Sequence, residues 1–314
     1  MGTPEFGVPT LNRLAASRHR LVGVITKPDA RKGRGRRLEP PPVRLAAEGL
    51  GLPCWQPESL GDDETIRLLT SLEPDLIVVV AFRIMPPEVL KIPKIGAINL
   101  HASLLPSYRG PAPIQWALIN GEATTGLTVF LLEPTVDTGK IIRQREVPIG
   151  ADETYGELSA RLSMLGAGEV LQAAHDLADG AVEAIPQDDS LATRAPKLRR
   201  EDGLIDWSRP SVAIRNRVRG VTPSPGAYTH WRGQPLGILR VDLVENPPGG
   251  KPGEILISDQ KRGVAVRTWD GALWLALVQP AGKRPMDGAA WGRGARPLVG
   301  EALVPPPHLD SEDN

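Results

Sequence analysis

The chain has 314 residues, 41% of them hydrophobic and 24% charged, which indicates a globular protein large enough for two domains. Its 37 basic residues balance 37 acidic ones, so the net charge is zero and does not indicate a nucleic-acid partner. No apolar run approaches the roughly 18 to 20 residues that span a bilayer, and the single cysteine, Cys54, excludes an internal disulfide or a thiolate metal cluster.

The opening residues, 1–9, are rich in glycine and proline and lead into a helical pattern over residues 10–16, with no strand before it. The first strand of a doubly wound sheet is normally central. Losing it would orphan buried backbone groups at a cost of about 1 to 3 kcal/mol each. We therefore expect that a short apolar first strand is missing from this sequence and that the true translation start lies upstream.

The first half of the chain then alternates apolar runs with helical patterns, which predicts stacked strand-helix-strand units. The predicted strands are residues 21–26, 76–80, 95–100 and 127–132, and the predicted helices are residues 64–72 and 154–177. Continuous Val and Ile runs are typical of strands that helices cover on both faces. The fold class expected here is α/β, a doubly wound, mostly parallel, Rossmann-like sheet.

The pattern changes near residue 195, where a charged run precedes short strands separated by Gly and Pro turns. The predicted strands are residues 235–244, 253–258, 263–268 and 273–278. Strands at that spacing indicate a small antiparallel, OB-like β-barrel. The expected division is a catalytic domain over residues 1–195, a linker over 196–203, a barrel domain over 204–304 and a disordered tail over 305–314.

Polar residues follow two of the predicted strands. Asn99 and His101 are two apart at the end of one strand, so they point to the same side. Asp137 follows the strand at 127–132. Because ligands of open α/β sheets bind at the carboxyl edge, we expect the three side chains to meet there.

This set suits acyl transfer to an amine. An Asn amide can donate to the oxyanion that forms on the attacked carbonyl, an effect worth about 2.7 to 4 kcal/mol. A histidine beside a carboxylate keeps its proton more readily and can protonate the leaving nitrogen. Each residue taken singly also fits a strand cap or a turn, and spacing does not decide between these interpretations.

The run from Asn99 through Gln115, together with Asp137-Thr138-Gly139, resembles the formyltransferase family that uses 10-formyltetrahydrofolate. The wider match is to its methionyl-tRNA formyltransferase branch. The matching segments span nearly the whole chain: residues 2–6, 27–29, 33–35, 101–106, 205–207 and 279–283. The resemblance implies an enzyme that formylates the methionine amino group of initiator methionyl-tRNA for translation initiation.

By this resemblance, Asn99, His101 and Asp137 are catalytic. The folate site is implied to contain Ser103, Leu104, Leu105, Pro106 and Phe82. The co-substrate is 10-formyltetrahydrofolate, and no metal is implied. The chain departs from the family at Arg83, where a glycine is usual, and at Leu132 and Thr135, where Met and Gly are frequent.

The segment from Lys27 to Arg44 is dense in cations, and its glycines and prolines predict a loop and not a helix. A solvated charged loop fits its composition, whereas the resemblance implies insertion into the tRNA acceptor stem. The implied tRNA-binding residues are Arg34, Arg36, Arg37, Lys197 and Lys283. We further expect a monomer in the cytoplasm, without a membrane partner, because no leader or spanning segment is visible.

Two alternatives stay open. One is a formyltransferase that acts on a small amine, such as a nucleotide sugar or glycinamide ribonucleotide; the basic loop and the second domain argue against it. The other is a catalytically silent tRNA-binding relative, against which the intact Asn99, His101 and Asp137 argue.

Overall fold

The computed structural model describes residues 1–32 and 37–304, and these form two compact units. The first unit comprises residues 1–113, 124–149 and 157–196; the second comprises 114–123, 150–156 and the chain from Lys197. The predicted linker at 196–203 therefore clusters almost entirely with the second unit, as do two short segments from the first half. The predicted tail at 305–314 lies outside the described residues.

The helices are α1 (Val8–Ala15), α2 (Pro42–Gly49), α3 (Asp63–Ser71), α4 (Pro87–Leu90), α5 (Pro113–Ile119), α6 (Tyr155–Ala178), α7 (Ser211–Val221) and α8 (Gly288–Ala295). The strands of the first unit are β1 (Val24–Ile25), β2 (Ala30–Lys32), β3 (Arg37–Glu39), β4 (Cys54–Trp55), β5 (Leu76–Val80), β6 (Gly96–His101), β7 (Thr124–Leu131) and β8 (Ile141–Pro148). Those of the second are β9 (Ala227–Trp231), β10 (Gln234–Leu243), β11 (Ile255–Asp259), β12 (Gly263–Arg267), β13 (Ala272–Pro280) and β14 (Met286–Asp287). Within the described residues, no helix is both long and apolar enough to cross a membrane.

The main sheet of the first unit has the order β5-β6-β7-β8 and mixes strand directions. β5 and β6 run parallel, whereas β7 is antiparallel to both β6 and β8. The expected Rossmann-like α/β fold is confirmed. Within it, β7, which covers most of the predicted strand at 127–132, is joined to β8 in a hairpin, and a hairpin connection requires antiparallel strands.

The packing of this sheet follows from its apolar runs. Ile98 on β6 and Phe130 on β7 are fully buried, and burying each such side chain stabilises the fold by roughly 1.5 to 3 kcal/mol. α3 begins where Asp62 accepts a hydrogen bond from the Thr65 amide, one residue before the predicted helix start. The buried side chains of Ile98 and Phe130 place β6, which carries the candidate site, in the core of the first unit.

A cavity of about 770 Å³ lies between β1 and β5. β1 pairs with β4, and β5 begins a separate sheet. Met1 and Gly2 connect them at one end, since the Gly2 amide donates to the Ile25 carbonyl and the Val80 amide donates to the Met1 carbonyl. The cavity is lined by both strands and by Thr10, Leu11 and Leu14 of α1.

The cation-rich segment is more ordered than its composition predicts. β2 and β3 pair antiparallel, and α2 starts at Pro42, so the prediction of a continuous loop to Arg44 is wrong. Proline suits the first turn of a helix because its missing N–H would be unpaired there. Arg44 lies on α2 and pairs with Asp29 and Glu48.

The second unit contains the predicted antiparallel barrel. Its strands follow the order β11-β12-β13-β10-β9, with β14 beside β13. Ala302 forms a β-bridge with Glu254, next to β11, and Val304 forms one with His230 on β9. The segment 302–304 therefore pairs with both ends of the sheet. This closing segment was not among the predicted strands because three residues carry too little periodicity to be recognised.

Candidate active site

Asn99 and His101 share one side of β6, as their spacing predicts. His101 is buried with 6% of its side chain exposed, and Asn99 is half-buried. Among the described residues, none forms a hydrogen bond with the side-chain amide of Asn99.

The His101 ring lies between two acceptors. Its Nε2 is 2.9 Å from the Tyr108 carbonyl oxygen, and its Nδ1 is 3.8 Å from Oδ2 of Asp137. The first contact is a hydrogen bond with Nε2 as donor, and the second is an electrostatic pair beyond hydrogen-bond length. A carbonyl oxygen only accepts hydrogen bonds, so Nε2 of His101 carries a hydrogen in the contact with Tyr108.

Asp137 reaches His101 by a route different from the predicted one. Because β7 is antiparallel to β6, its last residue, Leu131, pairs with Ile98 and not with the end of β6. The loop over residues 132–139 then folds back toward His101. Gly139 is necessary for that path, since a Cβ there would lie 1.7 Å from the Leu131 carbonyl oxygen.

The Asp137 carboxylate is held by the neighbouring loop. Its Oδ2 accepts a hydrogen bond of 2.8 Å from the Gly110 amide, and 13% of its side chain is exposed. Asp137 has a φ of 56°, a conformation that costs energy in any residue with a side chain. Gly110 has a φ of 125°, and a Cβ there would lie 2.6 Å from the Ala195 carbonyl oxygen. Only glycine therefore allows this approach.

Four of the residues implied for the folate site, residues 103–106, lie in the turn that follows β6. Ser103 is fully buried and donates to the Ser107 carbonyl at 2.6 Å. Leu105 is buried, and its amide donates to Oγ1 of Thr128 at 3.1 Å. Leu104 and Pro106 are partly exposed. Ser103 and Leu105 thus fix the turn, while Leu104 and Pro106 keep surface for a ligand.

Phe82 follows β5 and packs partly buried against the core that contains Val79 and Met85. Arg83, the departure noted in the sequence, donates to the Glu58 carbonyl and lies over the Phe82 ring at 5.8 Å from its centroid. The guanidinium is therefore tied to Glu58. Its aliphatic stem and charge flank the ring that the resemblance assigns to the folate site.

The residues implied for tRNA are dispersed over the chain. Arg34 and Arg36 lie outside the described residues. Arg37 is exposed on β3 in the first unit, and Lys197 and Lys283 are exposed in the second. Arg44 is held in an ion pair with Asp29. Hydrogen bonds from Gln56 and Arg44 to the Asp29 carboxylate lower the pKa of Asp29 below its usual value.

Residues 185–195 were not identified from the sequence. This segment contacts both the loop that follows β6 and the loop at 132–139. Gln187 donates from Nε2 to the carbonyl oxygens of Asp137, at 2.9 Å, and Gly139, at 2.8 Å. Thr193 accepts from the Tyr108 amide through Oγ1 at 2.8 Å. No periodicity marks this segment, and a half-buried glutamine in a polar stretch carries no signal of its own.

Within the described part of the chain, no group of three or more His, Cys, Asp or Glu side chains is placed to hold a metal ion.

Two family models match the chain in sequence order. The model described as "Formyl transferase" matches residues 1–174, and the model "Formyl transferase, C-terminal domain" matches residues 197–296. The fold and these matches define an enzyme of the formyl transferase class, with the barrel as its C-terminal domain. A sugar 3N-formyl transferase solved with dTDP and 5-N-formyl-THF, WlaRD, shares the fold, with a TM-score of 0.65 and 16% identity over 90% of this chain and 97% of its own.

Similar proteins of known family indicate which branch of the formyl transferases the chain is most like. A methionyl-tRNA formyltransferase of Citrifermentans bemidjiense is 46% identical over 314 residues, covering 100% of this chain and 96% of the relative. One from Roseiflexus castenholzii is 45% identical over 309 residues, covering 96% and 97%. The chain belongs to the methionyl-tRNA formyltransferase family.

Proposed function

We propose that this protein transfers the formyl group of 10-formyltetrahydrofolate to the free amino group of methionine on initiator methionyl-tRNA. The observation that carries the proposal is the similarity to methionyl-tRNA formyltransferases at 46% identity across the whole chain. The barrel domain supports it, since a small barrel is a common nucleic-acid platform. The contact between His101 and Asp137 supports the chemistry.

In the proposed reaction, the methionine nitrogen attacks the formyl carbon and a new C–N bond forms. Asn99 donates to the oxyanion, and the His101 imidazolium stabilises it. The bond between the formyl carbon and the folate nitrogen then breaks, and His101 protonates that nitrogen. Asp137 accepts the proton that the methionine amine loses and returns it to His101, so that charges and protons balance over one cycle.

The amine needs little activation, because an α-amino group titrates near pH 8 and is partly neutral at cellular pH. The work of the three residues is therefore concentrated on the oxyanion and the leaving nitrogen. Ser103, Leu104, Leu105, Pro106 and Phe82 are proposed to shape the folate site. Of these, Leu104 and Pro106 retain exposed surface and Phe82 offers a partly exposed ring.

The activity is tested by formylation of charged initiator tRNA with 10-formyltetrahydrofolate, run beside small amines at equal concentration. We expect kcat/KM for methionyl-tRNA to exceed that for a nucleotide amino sugar or glycinamide ribonucleotide by several orders of magnitude. Charged elongator methionyl-tRNA provides the matched control, since it presents the same methionine ester on another tRNA. Faster formylation of a small amine than of the tRNA would reject the proposal.

For tRNA binding, we propose that Arg34, Arg36 and Arg37 contact the acceptor stem and that Lys197 and Lys283 contact phosphates. Arg34→Ala is expected to raise KM for initiator tRNA about tenfold and leave KM for the folate unchanged, because one nucleic-acid contact is lost. Arg18→Ala is the matched control, since Arg18 is an exposed arginine of the first unit paired with Asp179. If both KM values rose together, the segment would have a structural role.

We also propose that the enzyme works as a monomer in the cytoplasm, where charged initiator tRNA is used. The two units already supply a catalytic site and a barrel within one chain. Sedimentation equilibrium at micromolar concentration is expected to give a single species of 33.8 kDa. A stable dimer would contradict this part of the proposal.

A further inference from the structure

The segment over residues 185–195, which we call the strap, connects the two loops of the active site. At one end, Ile185 forms an antiparallel bridge with Ile141 at the start of β8. At the other end, the Arg109 amide donates to the Thr193 carbonyl at 2.9 Å, and the Ala195 amide donates to the Arg109 carbonyl at 2.7 Å. The strap is therefore hydrogen-bonded to the chain on both sides of Asp137, at Arg109 and at Ile141.

Gln187 is the strap residue whose side chain contacts both loops. Its Nε2 donates to the carbonyl oxygens of Asp137 and Gly139 at 2.9 and 2.8 Å. Its Oε1 accepts from Nε and Nη2 of Arg109 at 3.1 and 2.7 Å. Gly110, which follows Arg109 in the chain, donates from its backbone amide to the Asp137 carboxylate. Asp137, Gln187 and the Arg109-Gly110 segment are therefore joined in a closed ring of hydrogen bonds.

The ring acts on the backbone of Asp137, which has a φ of 56°. A non-glycine residue in that conformation is unfavourable unless its surroundings hold it there. Gln187 supplies two donors to the carbonyls on either side of the strained turn. Without them, the turn gains freedom to relax, and the Asp137 carboxylate moves relative to the His101 ring.

We propose that Gln187 is a positioning residue that sets the separation between Asp137 and His101, and that it acts through the Asp137 backbone without touching substrate. This inference rests on the proposed function, because it concerns the rate of formyl transfer. Displacing a catalytic group by about 1 Å can lower a rate by about a hundredfold. We expect the effect on the chemical step, since the hydrogen bonds of the Gln187 side chain go to Arg109, Asp137 and Gly139.

Gln187→Ala is expected to lower kcat for initiator methionyl-tRNA by about ten- to a hundredfold. KM for the tRNA and for 10-formyltetrahydrofolate is expected to stay within about threefold. A merely structural role would not lower kcat while leaving both KM values unchanged.

Gln187→Glu distinguishes the role of the Oε1 acceptor from that of the Nε2 donor. The carboxylate keeps the acceptor for Arg109 and adds charge attraction, but it removes the donors to the Asp137 and Gly139 carbonyls. We expect a loss of kcat at least as large as in Gln187→Ala. A Glu variant with wild-type kcat would mean that anchoring Arg109 is the whole role of the residue and would overturn the proposal.

The matched control is Gln172→Ala, which removes a glutamine of α6 that donates to Asp176 at 2.7 Å. Its kcat is expected to equal that of wild type. Thermal melts of all three variants check that the fold is intact. Wild-type kcat in Gln187→Ala would overturn the positioning role with the function still standing, whereas a wild-type enzyme that formylates no methionyl-tRNA would reject the proposed function itself.

Discussion

His101→Ala is expected to lower kcat for formylation of initiator methionyl-tRNA at least about a hundredfold, which corresponds to about 2.7 kcal/mol of transition-state stabilisation. The imidazole faces both the Tyr108 carbonyl and the Asp137 carboxylate, so its removal takes away the proposed proton donor of the reaction. The measurement is single-turnover formylation with saturating folate, which reports the chemical step.

Two variants keep this result interpretable. His101 is 6% exposed, so truncation also leaves a cavity; His101→Gln fills most of that volume and is expected to be as inactive as the alanine variant. His175→Ala removes a histidine of α6 that packs against the His19 ring and is expected to retain wild-type kcat. A His101→Gln variant with near-normal turnover would remove His101 from the mechanism.

Asp137→Ala is expected to reduce kcat at least about a hundredfold as well, because the charge beside the His101 ring is lost. Asp137→Asn keeps an oxygen to accept from the Gly110 amide and differs from the native residue chiefly in charge. We therefore expect the asparagine variant to be nearly as impaired as the alanine variant. Stopped-flow or quenched-flow formylation assays with purified charged tRNA provide the comparison.

The double variant His101→Ala/Asp137→Ala tests whether the two residues act as a unit. If Asp137 works through His101, the double variant is expected to lose little more activity than either single variant. Losses that multiply would indicate independent roles. Asp179→Asn, which neutralises an exposed carboxylate paired with Arg18, serves as the control and is expected to be neutral.

Strand and helix positions were largely predictable because they depend on local patterns. The predicted strand at 76–80 coincides with β5, and the predicted helices at 64–72 and 154–177 differ from α3 and α6 by one residue at each end. Apolar residues at a period of two or 3.6 mark the face that must be buried, whatever the partner is. β8 was missed because its exposed central residues, 144–146, interrupt the apolar pattern.

Strand direction was not predictable in the same way. An apolar run shows that a strand is buried, but its direction depends on the connection and on the backbone groups of its neighbours. The apolar run at 127–132 therefore did not reveal that β7 is antiparallel to β6. Asp137 nevertheless lies beside His101, because the loop at 132–139 returns over the sheet through Gly139.

By itself, the sequence determined the α/β class, the barrel that follows it, and Asn99, His101 and Asp137 as the polar residues next to predicted strands. Residue type, spacing and hydrophobic period are properties of short segments, so they can be determined without knowledge of the tertiary contacts. Only the tertiary structure decided the direction of β7, the path of the loop that carries Asp137, and the contact of Gln187 with that loop. The direction of β7 depends on pairings such as Ile98 with Leu131, and the Gln187 contact is a hydrogen bond between residues 50 positions apart. No local pattern encodes such pairings.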